Sequence, residues 1–244
     1  AKGSGLELVL RSLYFQSDVP PDLPFSAVRR IFASGFADAI PIHAKYRAGE
    51  SPIVGTSIEY FSFRSLRPAA GRLPAQLGDC VLGARAAARA GLDVGDRVMS
   101  SPESVFDISG VYPLKMNVVG ILEPSGTPDD DTLFVDVKTA WVIAGLGHGH
   151  DDPGTGEGDS IQASLALKNY TEITDQNRSS FHFHGDQAGY PITAVIAVPR
   201  DDRSAALLEG RFLDSDETLQ IVRPGEVLAD LLATVLTIRR YVMI

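Results

Sequence analysis

The sequence predicts an α+β fold built as two lobes. Near both ends of the chain, segments with helical spacing of apolar residues alternate with short β-branched runs, which is the pattern of βαβ units. The stretch 79–146 lies between them and reads as short strands around one alanine-rich helix. We therefore expect a discontinuous βαβ-type layer built from the N- and C-terminal segments 1–78 and 190–244. Residues 79–146 would form an inserted small β-rich lobe, and 147–189 would form Gly/His/Asp-rich loops around one strand.

The composition limits the classes of protein to consider. The chain has 244 residues, 44% of them hydrophobic and 22% charged, as in an ordinary soluble globular protein with a sizeable core. A formal net charge of −9 without a basic patch disfavours nucleic acids and anionic lipid surfaces as partners. Cys80, the single cysteine, excludes an internal disulfide, and its apolar neighbours predict a buried, unreactive thiol.

Capping, proline and alternation signals define the first elements. The predicted elements are a helix at 4–14, a loop at 17–24, a helix at 26–33 and strands at 37–46 and 52–56. Ser4 and Glu7 form a capping box that starts the first helix, although a strand through the leucines at alternate positions is the alternative. In the second helix, Val28, Ile31 and Phe32 share the apolar face.

Aromatic and arginine side chains follow the second strand. Tyr60 and Phe61 are predicted to pack into the core at the end of a βαββ unit. Arg64, Arg67 and Arg72 are expected to be solvated or paired with carboxylates, and the alternative is that they grip an anionic ligand.

Glycines and turn formers divide the inserted unit. It contains a strand at 80–82, a helix at 84–90 ended by Gly91, and strands from Val98, at 117–122 and at 133–137. Its predicted core consists of apolar strand residues, namely Cys80, Leu82, Val98, Val118, Ile121, Phe134 and Val135. The turn 125–131 carries Asp129, Asp130 and Asp131. These carboxylates lack the ligand spacing of a calcium loop and predict a solvated turn at an exposed edge.

The C-terminal part begins with a change in composition. Residues 145–159 are rich in glycine and acidic residues, and without a following helix or a Lys-Ser/Thr pair they do not make a phosphate loop. The predicted elements are a helix at 139–146, strands at 161–169, 191–198 and 219–222, and helices at 204–212 and 225–240. The last helix bears an apolar stripe at Val227, Leu231, Val235 and Ile238. Charged residues interrupt it, so no run in the sequence is long and apolar enough to span a bilayer.

Histidine spacing is the chemical signal that the sequence offers. No nucleophile elbow, H-E-x-x-H or nucleotide loop is present, but four of the five histidines occur as two H-x-H pairs, each followed by acidic residues. Imidazoles two residues apart on extended chain share a face and can share a metal ion. We therefore predict a zinc-type site from His148, His150, Asp151, His182, His184 and Asp186. It would need neutral imidazoles and so weaken below about pH 6.5. The alternative is two solvated loop segments.

Four motifs in fixed order point to one family. They are VGTSIEYF at 54–61, LRPAAGR at 66–72, VLGARAAARAGLDVGD at 81–96 and VVGILEPSGTPDDDTLFV at 118–135. This ordered set resembles the extracytoplasmic core domain of MacB-like and FtsX-like ABC transporter permeases, in register over most of 6–137. The resemblance implies a two-lobe domain on the periplasmic side of the inner membrane. It also implies that transmembrane helices lie just outside both ends, so that this chain is a piece of a longer protein.

The same resemblance implies a non-enzymatic function. A separate cytoplasmic ATP-binding subunit would hydrolyse ATP, and this domain would relay the motion to a substrate or partner protein outside the membrane, within a dimeric transporter. We expect the chain neither to bind nor to hydrolyse ATP. One alternative is the zinc-binding domain of a metal-uptake system, since some such permeases are associated with metal uptake. Another is an independent secreted domain that binds a ligand or acts as a hydrolase.

Overall fold

The computed structural model shows a mixed α+β fold and describes residues 3–16, 21–101, 113–149, 170–213 and 219–242. The helices are α1 (Gly5–Leu13), α2 (Ser26–Ala33), α3 (Glu59–Phe63), α4 (Ala84–Ala90), α5 (Val137–Ile143), α6 (Asp202–Leu213) and α7 (Pro224–Val242). Short 3-10 helices cover Pro128–Asp131, Arg178–Ser180 and Gln187–Gly189. The strands are β1 (Leu23–Pro24), β2 (Ala37–Ala48), β3 (Ser51–Thr56), β4 (Pro68–Gly71), β5 (Asp79–Leu82), β6 (Arg97–Met99), β7 (Leu114–Leu122), β8 (Leu133–Asp136), β9 (Gly147–His148), β10 (Thr171–Glu172), β11 (His182–Phe183), β12 (Pro191–Ile192) and β13 (Ala194–Pro199).

A nine-stranded mixed sheet forms the centre of the described part of the chain. Its order is β10-β7-β5-β8-β3-β2-β13, and β4 and β6 also pair with β7. Strand β5 runs parallel to β7 and antiparallel to β8, whereas β2 is antiparallel to both β3 and β13. The ribbons β1–β12 and β9–β11 lie outside this sheet.

The sheet passes through both of the predicted lobes. The N- and C-terminal segments meet as expected, because β13 pairs with β2 along its whole length. The inserted unit joins them through the parallel pair β3 and β8, in which Ile53 lies opposite Leu133 and Val54 opposite Phe134. The α+β class is therefore confirmed, while the division into two lobes with the stated boundaries stays a prediction.

Strand β7 shows how the sequence produces the core. Its side chains alternate between buried and half-buried along the strand, because successive residues of a strand face opposite sides of the sheet. Leu114, Met116 and Val118 enter one hydrophobic cluster. The pairing with β5 shifts register between Val118 and Gly120, and beyond this irregularity Leu122 enters a second cluster. Adjacent residues of β5 and β8 also divide between the two clusters, so the sheet carries a packed layer on each of its faces.

The predicted core of the inserted unit is divided between these two layers. Cys80, Leu82, Val118 and Val135 are buried in the first cluster, and Val98 and Ile121 pack against it half-buried. Phe134 is buried in the second cluster with Tyr60 and Phe61, as predicted for these aromatics, since its side chain faces away from that of Val135. Burial raises the pKa of the Cys80 thiol well above its ordinary value, which fits the predicted unreactive cysteine.

Local signals placed most helices correctly. Ser4 caps α1, with its hydroxyl accepting from the Glu7 amide and the Glu7 carboxylate accepting from the Ser4 amide, so the alternative strand was wrong. Helix α2 has the predicted bounds, although Phe32 is 64% exposed and lies off its buried face. Helix α4 ends at Gly91, whose φ of 63° is the left-handed turn that glycine tolerates.

Three other predicted elements differ from the structure for identifiable reasons. The helix predicted at 139–146 begins at Val137, because Asp136 caps it by accepting from the Lys138 amide. The strand predicted at 191–198 is divided at Thr193, whose hydroxyl donates to the Ile42 carbonyl. The third, the strand predicted at 219–222, is irregular chain and pairs with no described strand. The strand predicted at 161–169 lies outside the described residues.

Helix α7 extends away from the packed part of the chain. A Cβ atom at Gly5 of α1 would lie 2.9 Å from Cγ2 of Val227, so the two helices touch at this point. From residue 229 to residue 240 every side chain of α7 is exposed, including Leu232 at 61% and Leu236 at 60%. The predicted apolar stripe is thus present but exposed beyond Val227. Within the described ranges, no helix has both the length and the apolar character needed to cross a membrane.

Candidate functional site

Three of the predicted metal ligands meet on one short ribbon. Strands β9 and β11 pair antiparallel with His182 directly opposite His148. Residues opposite each other in an antiparallel pair have side chains on the same face, and His184 follows His182 by two residues on extended chain. The ring centroids of His148, His182 and His184 are accordingly 4.7–4.8 Å apart in all three pairs. We call these three residues the histidine trio.

The opposite face of the ribbon is anchored in the core. The sequence alternates phenylalanine and histidine at 181–184, so Phe181 and Phe183 point away from the trio and pack against the first hydrophobic cluster. Glycines on β9 and directly after it make room for their rings: a Cβ atom at Gly147 would lie 2.6 Å from the Phe183 ring, and one at Gly149 would lie 2.6 Å from the Phe181 ring. The trio is therefore fixed to the core through aromatic packing behind it.

Hydrogen bonds set the orientation of the ribbon. The Tyr190 hydroxyl lies 2.6 Å from the carbonyl oxygen of His184 and 3.2 Å from that of Leu146, so it bridges the two chain segments. Nδ1 of His182 lies 3.1 Å from the carbonyl oxygen of Ser180, which can only accept. In the neutral tautomer that donates in this contact, the proton is on Nδ1 and the lone pair is on Nε2.

The other predicted ligands are not part of this group. His150 and Asp151 lie outside the described residues. Asp186 is described, but its carboxylate accepts from the Ala188 amide at 2.9 Å and caps the short helix Gln187–Gly189. In the described part of the chain, the group whose possible ligand atoms all lie within 4.8 Å of one another is the histidine trio. Metal binding by the six predicted residues stays a prediction.

The acidic run is an ion-pair cluster rather than the predicted solvated turn. Asp129 is 1% exposed and Asp130 is 3% exposed. Arg64 pairs with Asp129 at 2.7 Å, and Arg85 pairs with Asp130 at 2.9 Å. Asp131, at the surface of the cluster, also pairs with Arg85. Burial of carboxylates in this way requires partners of opposite charge, and the three-residue pattern alone did not indicate them.

Hydrogen bonds favour the charged form of Asp130 and Asp131. Burial alone would raise the pKa of Asp130, but donors from Ser125 and Gly126 bring it below its ordinary value. Hydrogen bonds from Arg85 lower the pKa of Asp131. Because protein donors already occupy these oxygens, we interpret the cluster as structural.

The arginines near the second strand follow the predicted carboxylate pairing where partners exist. Arg64 pairs with Asp129, and Arg72 pairs with the buried Asp79 at 2.7 Å. Arg67 is exposed. In the alternative, the three arginines together would bind an anionic ligand. Two of them are instead paired with carboxylates of the protein.

The fifth histidine, His43, is a buried group that the sequence did not single out. Its side chain is fully buried on β2, and among the described residues neither ring nitrogen has a hydrogen-bond partner. Burial lowers its pKa to about 4, against an opposing contribution from Asp22. A neutral imidazole in the core is the consequence.

This buried imidazole predicts a loss of stability in mild acid. Below about pH 6.5 the unfolded chain binds a proton at His43 that the folded chain does not bind until about pH 4. The free energy of unfolding should therefore fall by about 3 kcal/mol as the pH is lowered through this window. Urea unfolding of the parent and of His43→Leu across the window measures this contribution, since the carboxylates titrate in both proteins. Equal slopes with pH in the two proteins would contradict the prediction.

Comparison with known proteins gives the chain its family. Residues 8–166 match the MacB-like periplasmic core domain. The extracellular domain of the noncanonic ABC-type transporter YknZ from Gram-positive bacteria is 12% identical with a TM-score of 0.45, and the alignment covers 86% of this chain and 97% of that one. The periplasmic region of MacB from Actinobacillus actinomycetemcomitans is 12% identical with a TM-score of 0.41, covering 82% of this chain and 87% of that one. No curated protein sequence matches the chain.

The resemblance first seen in the ordered motifs is thereby confirmed over well more than half of the sequence. All four motifs fall in the central sheet and the helices beside it, where they contribute to β3, β4, β5, β7 and β8 and to α3 and α4. The chain belongs to the family of MacB-like periplasmic core domains, and it is an extracytoplasmic domain of an ABC transporter permease.

Proposed function

We propose that this chain is a non-catalytic relay. ATP hydrolysis on a cytoplasmic ATP-binding subunit would move the membrane segments of the permease, and the domain would pass that motion to a substrate or a partner protein outside the membrane. Two copies would act together in the complete transporter. Domains of this family are typically non-catalytic, which supports the proposal.

The observation that carries the proposal is the pairing of α1 with α7. The two helices are far apart in sequence but touch at Gly5 and Val227. The chain before α1 is tied to the segment before α7, because the Gly3 amide donates to the Gln220 side chain at 3.3 Å. Relative movement of the two helices would strain these contacts, and in this proposal that relative movement carries displacement from the membrane segments into the sheet.

Helix α7 has the form of a lever. It has 19 residues, so at 1.5 Å per residue it is about 28 Å long. Its first turns contact α1, whereas the remainder is exposed and apolar at Leu232, Leu236 and Ile238. A rigid helix that packs on the domain at one end is suited to carry displacement from the membrane segments into the sheet.

A disulfide between the two helices tests the relay. The Cβ position of Gly5 lies 3.9 Å from Cβ of Val227, within the range of about 3.5–4.5 Å seen in disulfides. The single native cysteine, Cys80, is buried and will not compete. In the complete reconstituted transporter, oxidised Gly5→Cys/Val227→Cys should show an ATPase rate lower by roughly tenfold, because locked helices oppose the coupled motion. A reductant should restore the rate.

The two single-cysteine variants are the controls, since each carries a substitution but no cross-link. Neither should respond to reductant, so their ATPase rates set the level expected without a cross-link. If the cross-link forms completely and the ATPase rate remains at the parental level with and without reductant, relative movement of α1 and α7 is not part of the cycle and the relay proposal is wrong.

A further inference from the structure

We propose that the histidine trio binds one divalent transition metal ion of the zinc class. His148, His182 and His184 would each supply one imidazole nitrogen, and the fourth position would be open to solvent. The inference is independent of the relay, because it concerns a ribbon outside the central sheet. It also differs from the six-residue site expected from sequence, since it needs no carboxylate.

The separation of the nitrogens fits a single ion. Nε2 of His184 lies 3.5 Å from Nε2 of His148. Four-coordinate zinc holds imidazole nitrogens at about 2.0–2.1 Å, so two such ligands are about 3.3 Å apart. The ligand atoms of the third histidine are within 4.8 Å of the other two. Rotation of the side chains would have to bring these atoms at most about 1.5 Å closer.

The orientation of His182 is that of a metal ligand before any metal binds. In the tautomer with its proton on Nδ1, the ring donates to the Ser180 carbonyl and Nε2 is the nitrogen that can coordinate an ion. The ring centroid lies 4.7 Å from those of both His148 and His184. Histidine ligands in proteins commonly donate their second ring nitrogen to a carbonyl or carboxylate, which fixes the tautomer and the ring plane. The carbonyl of Ser180 has that role here.

The scaffold holds the backbone of the trio in place. Tyr190 bonds the His184 carbonyl, and Phe181 and Phe183 fix the reverse face of the ribbon in the core. His148 and His184 are exposed and His182 is half-buried, so an ion can enter from solvent. Binding therefore requires little ordering of the chain, which favours affinity.

The donor set determines the class of ion. Three neutral imidazoles supply nitrogen ligands, and neither Asp186 nor the ion-pair cluster contributes a carboxylate oxygen within the group. Calcium and magnesium require several oxygen ligands, whereas zinc, copper(II) and nickel(II) accept imidazole. Three histidines and an open fourth position form a recurrent tetrahedral zinc arrangement. A bound ion would also link β9 to β11.

Titration with zinc alone tests the site. The chain should bind one zinc ion, measured by calorimetry in competition with a chelator of known affinity. The single variants His148→Ala, His182→Ala and His184→Ala should each bind at least about tenfold more weakly, and His182→Ala/His184→Ala should lose the specific site. Asp186→Asn is the matched control, because it removes a nearby carboxylate but keeps the cap on the Ala188 amide; its affinity should equal that of the parent.

Two further measurements separate coordination from surface adsorption. Cobalt(II) in place of zinc should give the intense visible absorption of a four-coordinate ion in the parent and not in the double variant. Zinc at about one hundred times its dissociation constant should raise the melting temperature of the parent by about 5 °C or more, with no shift in the double variant. The metal-free variants should melt like the parent, since the side chains removed are exposed or half-buried. Equal zinc uptake by parent and double variant, or six-coordinate cobalt in both, would overturn the proposal.

Discussion

Replacement of Val118 by aspartate is expected to unfold the domain. Val118 is 1% exposed in the middle of β7, with Cys80 of β5 on one side and the first hydrophobic cluster above it. The side chains of this cluster in the described part of the chain are apolar, so none of them can pair with a carboxylate. Burial of an unpaired carboxylate costs several kcal/mol, which is comparable to the total stability of about 5–15 kcal/mol for a domain. Circular dichroism and urea unfolding of the purified variant measure the loss.

Two variants show whether the effect comes from burial of charge. Val118→Ala removes two methyl groups without adding a charge and should cost only about 2 kcal/mol. Asn117→Ala changes the half-buried neighbour on the other face of the same strand and should cost about 1 kcal/mol or less. A Val118→Asp protein that unfolds at the parental urea concentration would mean that β7 does not face the core as described.

The sequence indicates β7 and the capped helices because their signals are local. Alternation along a strand and the Ser4–Glu7 capping box each involve neighbours in sequence, and Gly91 marks its helix end by its own conformational freedom. Strand order is different. The pairing of β3 with β8 depends on which apolar faces meet across the chain, and no local pattern contains that information.

The same distinction explains the elements that the sequence misplaced. Leu219 and Ile221 lie in an apolar run that resembles a strand, yet each packs into a hydrophobic cluster from irregular chain. An apolar run indicates that its side chains are buried. The segment forms a strand only if another strand pairs with it. Phe32 shows the converse, because helical spacing identifies a face but not which of its residues the neighbouring elements cover.

The histidine trio could be predicted in part from the sequence because its histidines have the two-residue spacing of side chains on one face of a strand. Two H-x-H pairs predict two imidazole faces, and the ribbon brings one member of the first pair against both members of the second. The sequence did not show that Asp186 would lie outside this group. Its carboxylate accepts a hydrogen bond from the Ala188 amide instead. The sequence did contain one indication that the acidic run forms ion pairs. Arg85 and Arg89 lie one turn apart on α4, and both pair with Asp131 in the structure.

Asp129, the first and most deeply buried carboxylate of that run, predicts the second large effect: Asp129→Ala should cost about 3–5 kcal/mol. One carboxylate oxygen accepts from the Tyr60 hydroxyl at 2.6 Å, and the other accepts from Nε and Nη2 of Arg64 at 2.9 and 2.7 Å. Thr127 donates to the same second oxygen at 2.7 Å. Alanine would leave the hydroxyl of the fully buried Tyr60 and the partly buried Arg64 guanidinium without their acceptor.

The protonation states make this loss unavoidable near neutral pH. Burial, and then the neighbouring Asp129, raise the pKa of the Tyr60 hydroxyl above its ordinary value, so it remains a donor. The carboxylate raises the pKa of Arg64 against the opposing effect of burial, so the guanidinium stays charged. Neither side chain changes its protonation state near neutral pH, so both still require a hydrogen-bond acceptor when Asp129 is replaced. The variant should therefore melt about 10 °C below the parent.

Asp131→Ala provides the comparison, because that carboxylate belongs to the same run but is 39% exposed and pairs with exposed arginines. Its loss should cost about 1 kcal/mol or less. Asp129→Asn should fall between the two, since an amide oxygen still accepts from Tyr60 but offers Arg64 no charge. If Asp129→Ala and Asp131→Ala lower the melting temperature by the same small amount, then burial does not distinguish the two carboxylates. In that case the motif TPDDD would be a surface turn, as its composition first suggested.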